Sequence, residues 1–489
     1  MGMRACDPDD PYDCHEPIRI SVIQTTTYLD YDASGFLSAR RGSNGQRVTY
    51  HYNANGDLDA ETDALGNQTT YGYDRQRRRN RITDAMGGTT WTSYTPLGQI
   101  SQVIDPRGLV TQYVYDGLGN LLSQTSPDTG TTRLTYNAVG QQTQLQRADG
   151  SVTTYTYDAL GRPATVASGG QVRRFTYDSC GNGKGQLCQA TTTGGTATTT
   201  RFTYTPWGQV ATRQGSVNGA TDTTTYSYDG MQRLTGIQYP SGVRVGYGYA
   251  DGHLWQITAT VNGVTMPVVA YGEYRAFGPA TMVQYGNGLS GGRNYDGSGR
   301  LTGISTSDVS GPLQSLTYGY DVANRITAIT HGVQAALTQR YGYDGLGRLT
   351  SAALAGGNVS TYAYDAVGNR TQQDDTLPAG SIRYVLAGDS NRLLQVIRNG
   401  QGWGLSYDAN GSVTAYTDSA GVRHTLGYDP FGRLAQHTAQ GATTWYTVNA
   451  LDQRVAKRTP SGSSRYVYGG FSQLLAENTN GQWTSYVYN

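Results

Sequence analysis

The chain has 489 residues, with 66 Gly and 39 Tyr but only 6 Phe and 6 Trp. Charged residues make up 15% and the formal net charge is +1, a balance that gives no global attraction to nucleic acid or to an anionic membrane. No apolar run approaches the ~20 residues needed to span a bilayer, and the abundance of Tyr, Thr and Gly excludes a disordered chain in favour of strands and tight turns.

Residues 1–24 read as a lead-in segment. The opening Met1-Gly-Met-Arg-Ala-Cys6 has no apolar stretch after its arginine, so it lacks the pattern of a Sec signal peptide, and export is expected by a route not visible in the chain. The acidic run Asp7-Pro-Asp9-Asp10-Pro-Tyr-Asp13 lacks the glycine and glutamate spacing of a calcium loop and is expected to be solvated. Cys6, Cys14 and His15 lack a fourth ligand at zinc spacing, so no metal or other cofactor is expected.

Residues 25–489 read as a tandem array of about 22 copies of one unit. Its first tyrosines are Tyr31, Tyr52, Tyr73, Tyr94, Tyr115, Tyr136 and Tyr157, and the interval between them never varies. The motif is Tyr-Asp-x-x-Gly-Arg-Leu, as in Tyr115-Asp116-Gly-Leu-Gly119-Asn-Leu and Tyr157-Asp158-Ala-Leu-Gly161-Arg. Halfway between motif turns lies a second, plainer turn such as Asp63-Ala-Leu-Gly66 or Asp84-Ala-Met-Gly87. Asp first and Gly fourth is the preference of a type I turn, with the Gly supplying the positive φ that follows it in a hairpin. The chain therefore reverses about every ten residues, and each unit is two short antiparallel strands. Between turns, stretches such as Thr69-Thr-Tyr71-Gly-Tyr73 put two rings on one face and Thr or Gly on the other, and the rings are expected to form ladders. The many aspartates are read as turn caps rather than acid/base groups.

One repeat carries the basic run Arg75, Arg77, Arg78, Arg79 and Arg81 in place of a normal turn. It is expected to be a solvated loop, with a docking patch for an acidic partner or glycan as the sharper alternative. Farther on, Cys180 and Cys188 bracket Gly-Asn-Gly-Lys-Gly-Gln-Leu, with the same seven-residue gap as Cys6 and Cys14. The step from Tyr177 to Tyr204 is longer than the regular interval, an insertion that a Cys180–Cys188 bridge could hold; a Cys6–Cys14 bridge is a weaker expectation. A loop this short stabilises less than a long one. The middle of the array is looser, with Tyr204, Tyr228, Tyr249, Tyr274, Tyr295 and Tyr320 unevenly spaced. Gly288-Leu-Ser290-Gly-Gly292 matches a nucleophile elbow in letters, but no helical pattern follows it, so it reads as a repeat turn. Regular copies return with Tyr343-Asp344-Gly-Leu-Gly347-Arg-Leu and Tyr428-Asp429-Pro-Phe-Gly432-Arg-Leu, with weaker copies near Tyr384 and Val448. No catalytic constellation is expected.

The fold class is thus all-β. About 44 strands at ~4.8 Å make a ribbon ~210 Å long, which must coil because open twisted sheets do not stay flat. One circuit would be roughly 65 Å wide and a two-turn spiral half that, too wide for side chains to fill.

These motifs resemble the YD repeats of the Rhs proteins, of the shell-forming B and C components of Tc toxins, and of the teneurins. The resemblance covers the chain after residue 25 and implies a strand ribbon that spirals into a cocoon. In the bacterial members, it implies enclosure of a C-terminal toxin domain delivered to a rival or host cell. The family's core segment with an Asp-Pro-x-Gly cleavage site is not recognised: Asp105-Pro-Arg-Gly108 and Asp429-Pro-Phe-Gly432 fall in phase with ordinary turns. The chain is therefore expected to be a piece of such a protein, without the cleavage segment and toxin. Two functional expectations follow. The first is a secreted or cell-surface shell whose partners are the toxin domain and components of a secretion apparatus. The second is an extracellular module that binds glycans or mediates adhesion through exposed rings.

Overall fold

The computed structural model describes residues 19–21, 27–275, 278–470 and 472–488. Cys6, Cys14, His15 and the acidic N-terminal run lie outside the described residues.

Strands make up 60% of the chain, and among the described residues the one helical element is a single 3-10 turn, Ala335–Leu337. The two turns of each unit force consecutive strands to pair antiparallel. The result is one sheet of 43 strands, in which each strand bonds its neighbours in sequence from Thr27–Tyr31 to Gln482–Ser485. No described pairing joins those two end strands, so the ribbon is not closed by backbone hydrogen bonds. The expectation of an unbroken ribbon needs one correction. Glu273–Arg275 steps out of the sheet and pairs in parallel with Arg19–Ser21, and Val264–Tyr271 pairs directly with Met282–Tyr285.

The motif turns add a device that alternation does not show. At every good copy the ladder shifts register just before the tyrosine, as at Val114/Tyr115, Thr156/Tyr157, Gly342/Tyr343 and Gly427/Tyr428. A bulge bends a strand and increases its twist. Repeated once per unit, it curves the ribbon in one sense.

The ribbon coils so that its plain-turn edge meets its own motif-turn edge 240 to 286 residues later. Ser43 Oγ lies 2.7 Å from Ser298 Oγ. Arg107 donates to the carbonyls of Ala387 (2.7 Å) and Ser390 (2.8 Å). Asp128 accepts the Asn391 N–H at 2.6 Å, and Arg147 donates to the Phe431 carbonyl at 3.0 Å. Near the far end, the Tyr239 hydroxyl donates to the Tyr486 carbonyl at 2.9 Å, and Ser241 Oγ lies 2.8 Å from Ser485 Oγ. One circuit is therefore about two dozen strands, or roughly 115 Å around and about 37 Å across, as expected for the two-turn spiral. Barrels of far fewer strands already fill their interior with side chains, so this coil encloses a lumen.

Surface area agrees. The chain exposes 27205 Å², whereas a compact protein of its mass exposes about 17,600 Å². Over residues 27–182 only Ala39, Ala60, Thr153 and Ser168 are buried, so that stretch is a wall one sheet thick. The apolar core is local. It forms where Ile237, Tyr239, Val245, Ile257, Val269 and Val283 meet Val467, Leu475 and Ala476 from the second circuit.

Candidate functional site

The chemistry of this chain is concentrated in the clasp that each unit makes with the next. Around Tyr343 it is complete. One Asp344 oxygen accepts the N–H groups of Leu346 and Arg348, each at 2.9 Å, and the other accepts Arg348 Nε at 2.6 Å. Gly347 takes φ +76°, which closes the turn. The guanidinium so fixed reaches into the next unit, where it lies 4.9 Å from the centroid of the Tyr364 ring and donates to the Asp365 carbonyl at 2.8 Å. Tyr364 reaches back, its hydroxyl donating to the Leu349 carbonyl at 2.8 Å. Carboxylate, guanidinium, ring and carbonyl thus link adjacent hairpins through side chains as well as through the sheet.

The arrangement recurs. Arg162 binds Asp158 and stacks on Tyr177; Arg233 binds Asp229 and stacks on Tyr249; Arg325 binds Asp321 and stacks on Tyr343. After Tyr115, Asn120 stands in for the arginine and donates to Asp116 at 2.9 Å. Arg433 binds Asp429 at 2.7 Å and donates to the Asn449 carbonyl. Tyr157 and Tyr428 donate to the carbonyls of Gln142 and Val413. Where the arginine is present the expected ring ladders take a different form, because guanidinium faces occupy the places where neighbouring rings would stack. Cation–π contact is worth roughly 0.5–1 kcal/mol at exposed sites, so it is the repetition that matters.

The weaker copies also become readable. At the first, the bulge falls at Val385/Leu386, so Leu386, and not Tyr384, occupies the motif tyrosine position; at the second it falls at Thr447/Val448.

Electrostatics follow the clasp. The side-chain hydrogen bond from Asn120 holds Asp116 below its ordinary value, and the backbone N–H of Arg233 does most to lower Asp229. At Asp344 burial alone would raise the carboxyl, but the bonds from Arg348 outweigh it and the net shift is downward. A carboxylate lowered on folding adds stability that is complete above its unfolded value, near pH 4, and is lost as pH falls through the folded value. The thermal midpoint is therefore expected to stay level from about pH 7 to pH 5 and to drop below about pH 4. A midpoint already falling between pH 7 and pH 5 would show that other groups control the array. In the lapped region, burial pushes the Tyr226 hydroxyl up to about 12.

The basic run is not a separate loop. Its turn is an ordinary motif turn in which Arg77 takes the left-handed position, φ +61°, that Gly holds in most other motif turns and residues such as Gln232, Asn324 and Asp452 hold in the rest. Arg77 binds Asp57, Arg78 binds Asp74 and lies over Tyr94, Arg79 lies over Tyr71, and Arg81 lies over Trp91. Arg75 sits exposed at the tip of the turn. Cys180 and Cys188 are joined, with Cα atoms 5.5 Å apart, across the enlarged turn that follows Tyr177. Ser290 opens the strand Ser290–Tyr295 and donates to Gln284 at 2.9 Å, so the residues around it form a hairpin rather than a strand-to-helix elbow.

Sequence reading missed one cluster. His424 bridges Asp418 (2.9 Å) and His437 (2.8 Å) and stacks on Tyr416. The strand register His424↔Ala439 and Leu426↔His437 brings the two imidazoles together, and it can be read only once the Asp429 turn is placed. Among the described residues no group of three or more His, Cys, Asp or Glu is arranged to hold a metal ion, and no helix is long and apolar enough to cross a membrane.

Comparison with known proteins gives a consistent picture. The model of the RHS Repeat family matches residues 52–90, 94–131, 115–152, 136–170, 295–335, 339–382 and 389–443, together more than half of the chain. No match is found among curated proteins. Among solved structures, the Tc holotoxin pore of Photorhabdus luminescens superposes with a TM-score of 0.69 at 18% identity, over 89% of this chain and 27% of the other. A crystal structure of TcdB2-TccC3-TEV gives 0.70 at 19% identity, over 92% and 29%. A crystal structure of TcdB2-TccC3 gives 0.61 at 17% identity, over 94% and 31%. At such identities the likeness is one of fold, and the chain spans less than a third of each solved chain.

Proposed function

Since this chain belongs to the RHS repeat family, we propose that it is a length of container wall, and that the container encloses a toxin domain and acts outside the cell that makes it. The observation that carries this reading is the seam. Contacts such as Arg107 to Ala387 and Tyr239 to Tyr486 turn a ribbon into a coil with an inside and an outside.

The chemistry of the wall supports containment. Its strands present Thr, Tyr and Gly with few charges, so a cargo meets neither a strong field nor a deep apolar groove that would hold it fast. Motif rings such as Tyr343 and Tyr364 are half-buried and covered by guanidinium groups, which leaves those rings poorly placed to stack on sugars and favours the wall over a glycan-binding module. The reading gives this chain a holding role and no catalytic step.

The test is limited proteolysis of the product of the whole reading frame. The cargo domain is expected to survive protease at a dose that digests the same domain expressed alone. Equal digestion of the two would reject the container.

A further inference from the structure

At the seam, the third residue of each motif turn on the second circuit sits beneath the plain-turn edge of the first. Phe431 is 8% exposed, with the Arg173 guanidinium 3.9 Å from its ring centroid and its carbonyl bound by Arg147. Leu346 is 37% exposed, beside a contact of Arg348 with Met86 of the first circuit. Val367 and Leu451 are half-buried.

The same turn position on the first circuit is bare. Leu97 is 71% exposed, Leu118 84%, Val139 78%, Leu160 75%, Trp207 74% and Met231 73%. These six large apolar side chains sit at the tips of motif turns, four in succession and two beyond the enlarged turn that follows Tyr177, so they line one rim of the coil. Isolated exposed apolar residues are ordinary, but a repeated apolar line along one rim marks an interaction surface. The opposite rim is made of plain turns of the second circuit, and it too carries apolar tips: Val309 is fully exposed and Leu377 is 58% exposed. Among the described residues, the molecule thus shows at its two ends the two halves of the contact that it makes with itself in the middle.

We propose that the motif-turn rim from Leu97 to Met231 is a docking surface for the plain-turn rim of a second copy of this chain, so that copies stack head to tail along the coil axis. The occupant follows from the seam, where a plain-turn edge is what covers this turn position. The contact is heterologous, and a heterologous contact that does not close on itself grows without a fixed endpoint. Among the described residues, the free plain-turn rim carries Arg398 at the turn position of Arg147 but has no counterpart of Arg107, so this contact is weaker than the intramolecular seam and is populated at micromolar concentration and above.

The experiment is sedimentation velocity of the 489-residue chain from about 1 to about 100 µM, with two multiple variants. One carries Leu118→Asp, Leu160→Asp and Trp207→Asp on the motif rim. The other carries Val309→Asp and Leu377→Asp on the plain rim. All five side chains are exposed, and unchanged strand circular dichroism confirms that both variants fold. The unsubstituted chain is expected to grow in mass with concentration, each variant alone to stay monomeric, and an equimolar mixture to stop at a dimer, because each variant keeps one intact rim. A chain that is monomeric throughout, or variants that associate as the unsubstituted chain does, would overturn the proposal. Association lost only in the motif-rim variant would also overturn it, by showing that this rim pairs with itself.

Discussion

Replacing Arg213 with alanine is expected to cost about 3 kcal/mol, read as loosening of the second circuit rather than as uniform destabilisation. Arg213 is 7% exposed and donates to the carbonyls of Tyr468 and Gly469 and to the side chain of Gln453, all on the second circuit. Burial depresses its pKa, yet its partners are neutral oxygens. Truncation leaves those acceptors without a donor in a place that water reaches poorly, and that loss sets the size of the effect. Arrays of repeats open in parts, so a single unfolding midpoint is a blunt probe. Amide hydrogen exchange is the suitable measurement, with protection expected to fall by about two orders of magnitude in Gly462–Tyr468 and Leu474–Thr479 and to hold in Arg47–Tyr52. Lysine at this position keeps the charge without the fork and is expected to restore only part of the protection. Unchanged exchange in both second-circuit strands would show that Arg213 does not hold the seam.

Leu475→Ala is expected to cost about 2–5 kcal/mol, the range for deleting a fully buried leucine side chain. Leu475 is 1% exposed and packs in the cluster with Val245 and Ile257, both 0% exposed. A wall one sheet thick has few such places, so a cavity here removes a large part of the apolar packing that joins the two circuits. Chemical denaturation is expected to show an early transition, or a lowered midpoint, accompanied by loss of protection in the same second-circuit strands. A change below about 1 kcal/mol would mean that the cluster collapses around the gap, and that hydrogen bonds alone carry the seam.

What was legible in the sequence was what is local. Tyr343-Asp344 and Gly347 lie within one turn, so their letters announce a hairpin, and Cys180 and Cys188 flank a single enlarged turn. The clasp was half legible. Arg348 falls shortly after Asp344 and well before Tyr364, a spacing present in the letters but uninformative until the hairpin register puts guanidinium and ring face to face. The bulges were hidden because a one-residue shift leaves alternation nearly intact. The seam had no local signal at all. Nothing in the neighbourhood of Arg107 announces Asn391, 284 residues away, because the curvature that joins them is the sum of many small bends. The basic run misled for a related reason: charge density suggested a loop, whereas Arg77 fills a glycine position and Arg78 and Arg79 stack on rings. Glu273–Arg275 left the ribbon for Arg19–Ser21, a partner from the far end of the chain.

The coil is tested most directly by joining its two circuits covalently. Ser43 and Ser298 are 255 residues apart in sequence with hydroxyl oxygens 2.7 Å apart, and Ser241 and Ser485 are 244 residues apart with oxygens at 2.8 Å. In an uncoiled ribbon each pair would be separated by about two dozen strands, roughly 110 Å, far beyond the ~7 Å Cα separation that a disulfide tolerates. Ser43→Cys with Ser298→Cys, and Ser241→Cys with Ser485→Cys, are expected to oxidise within one chain, each bridge appearing in a peptide map of monomeric protein with unchanged strand content. Ser43→Cys with Ser461→Cys, a pair that the seam does not join, is expected to stay reduced. Folded monomer in which neither seam pair can be bridged would contradict the coil, and with it the container.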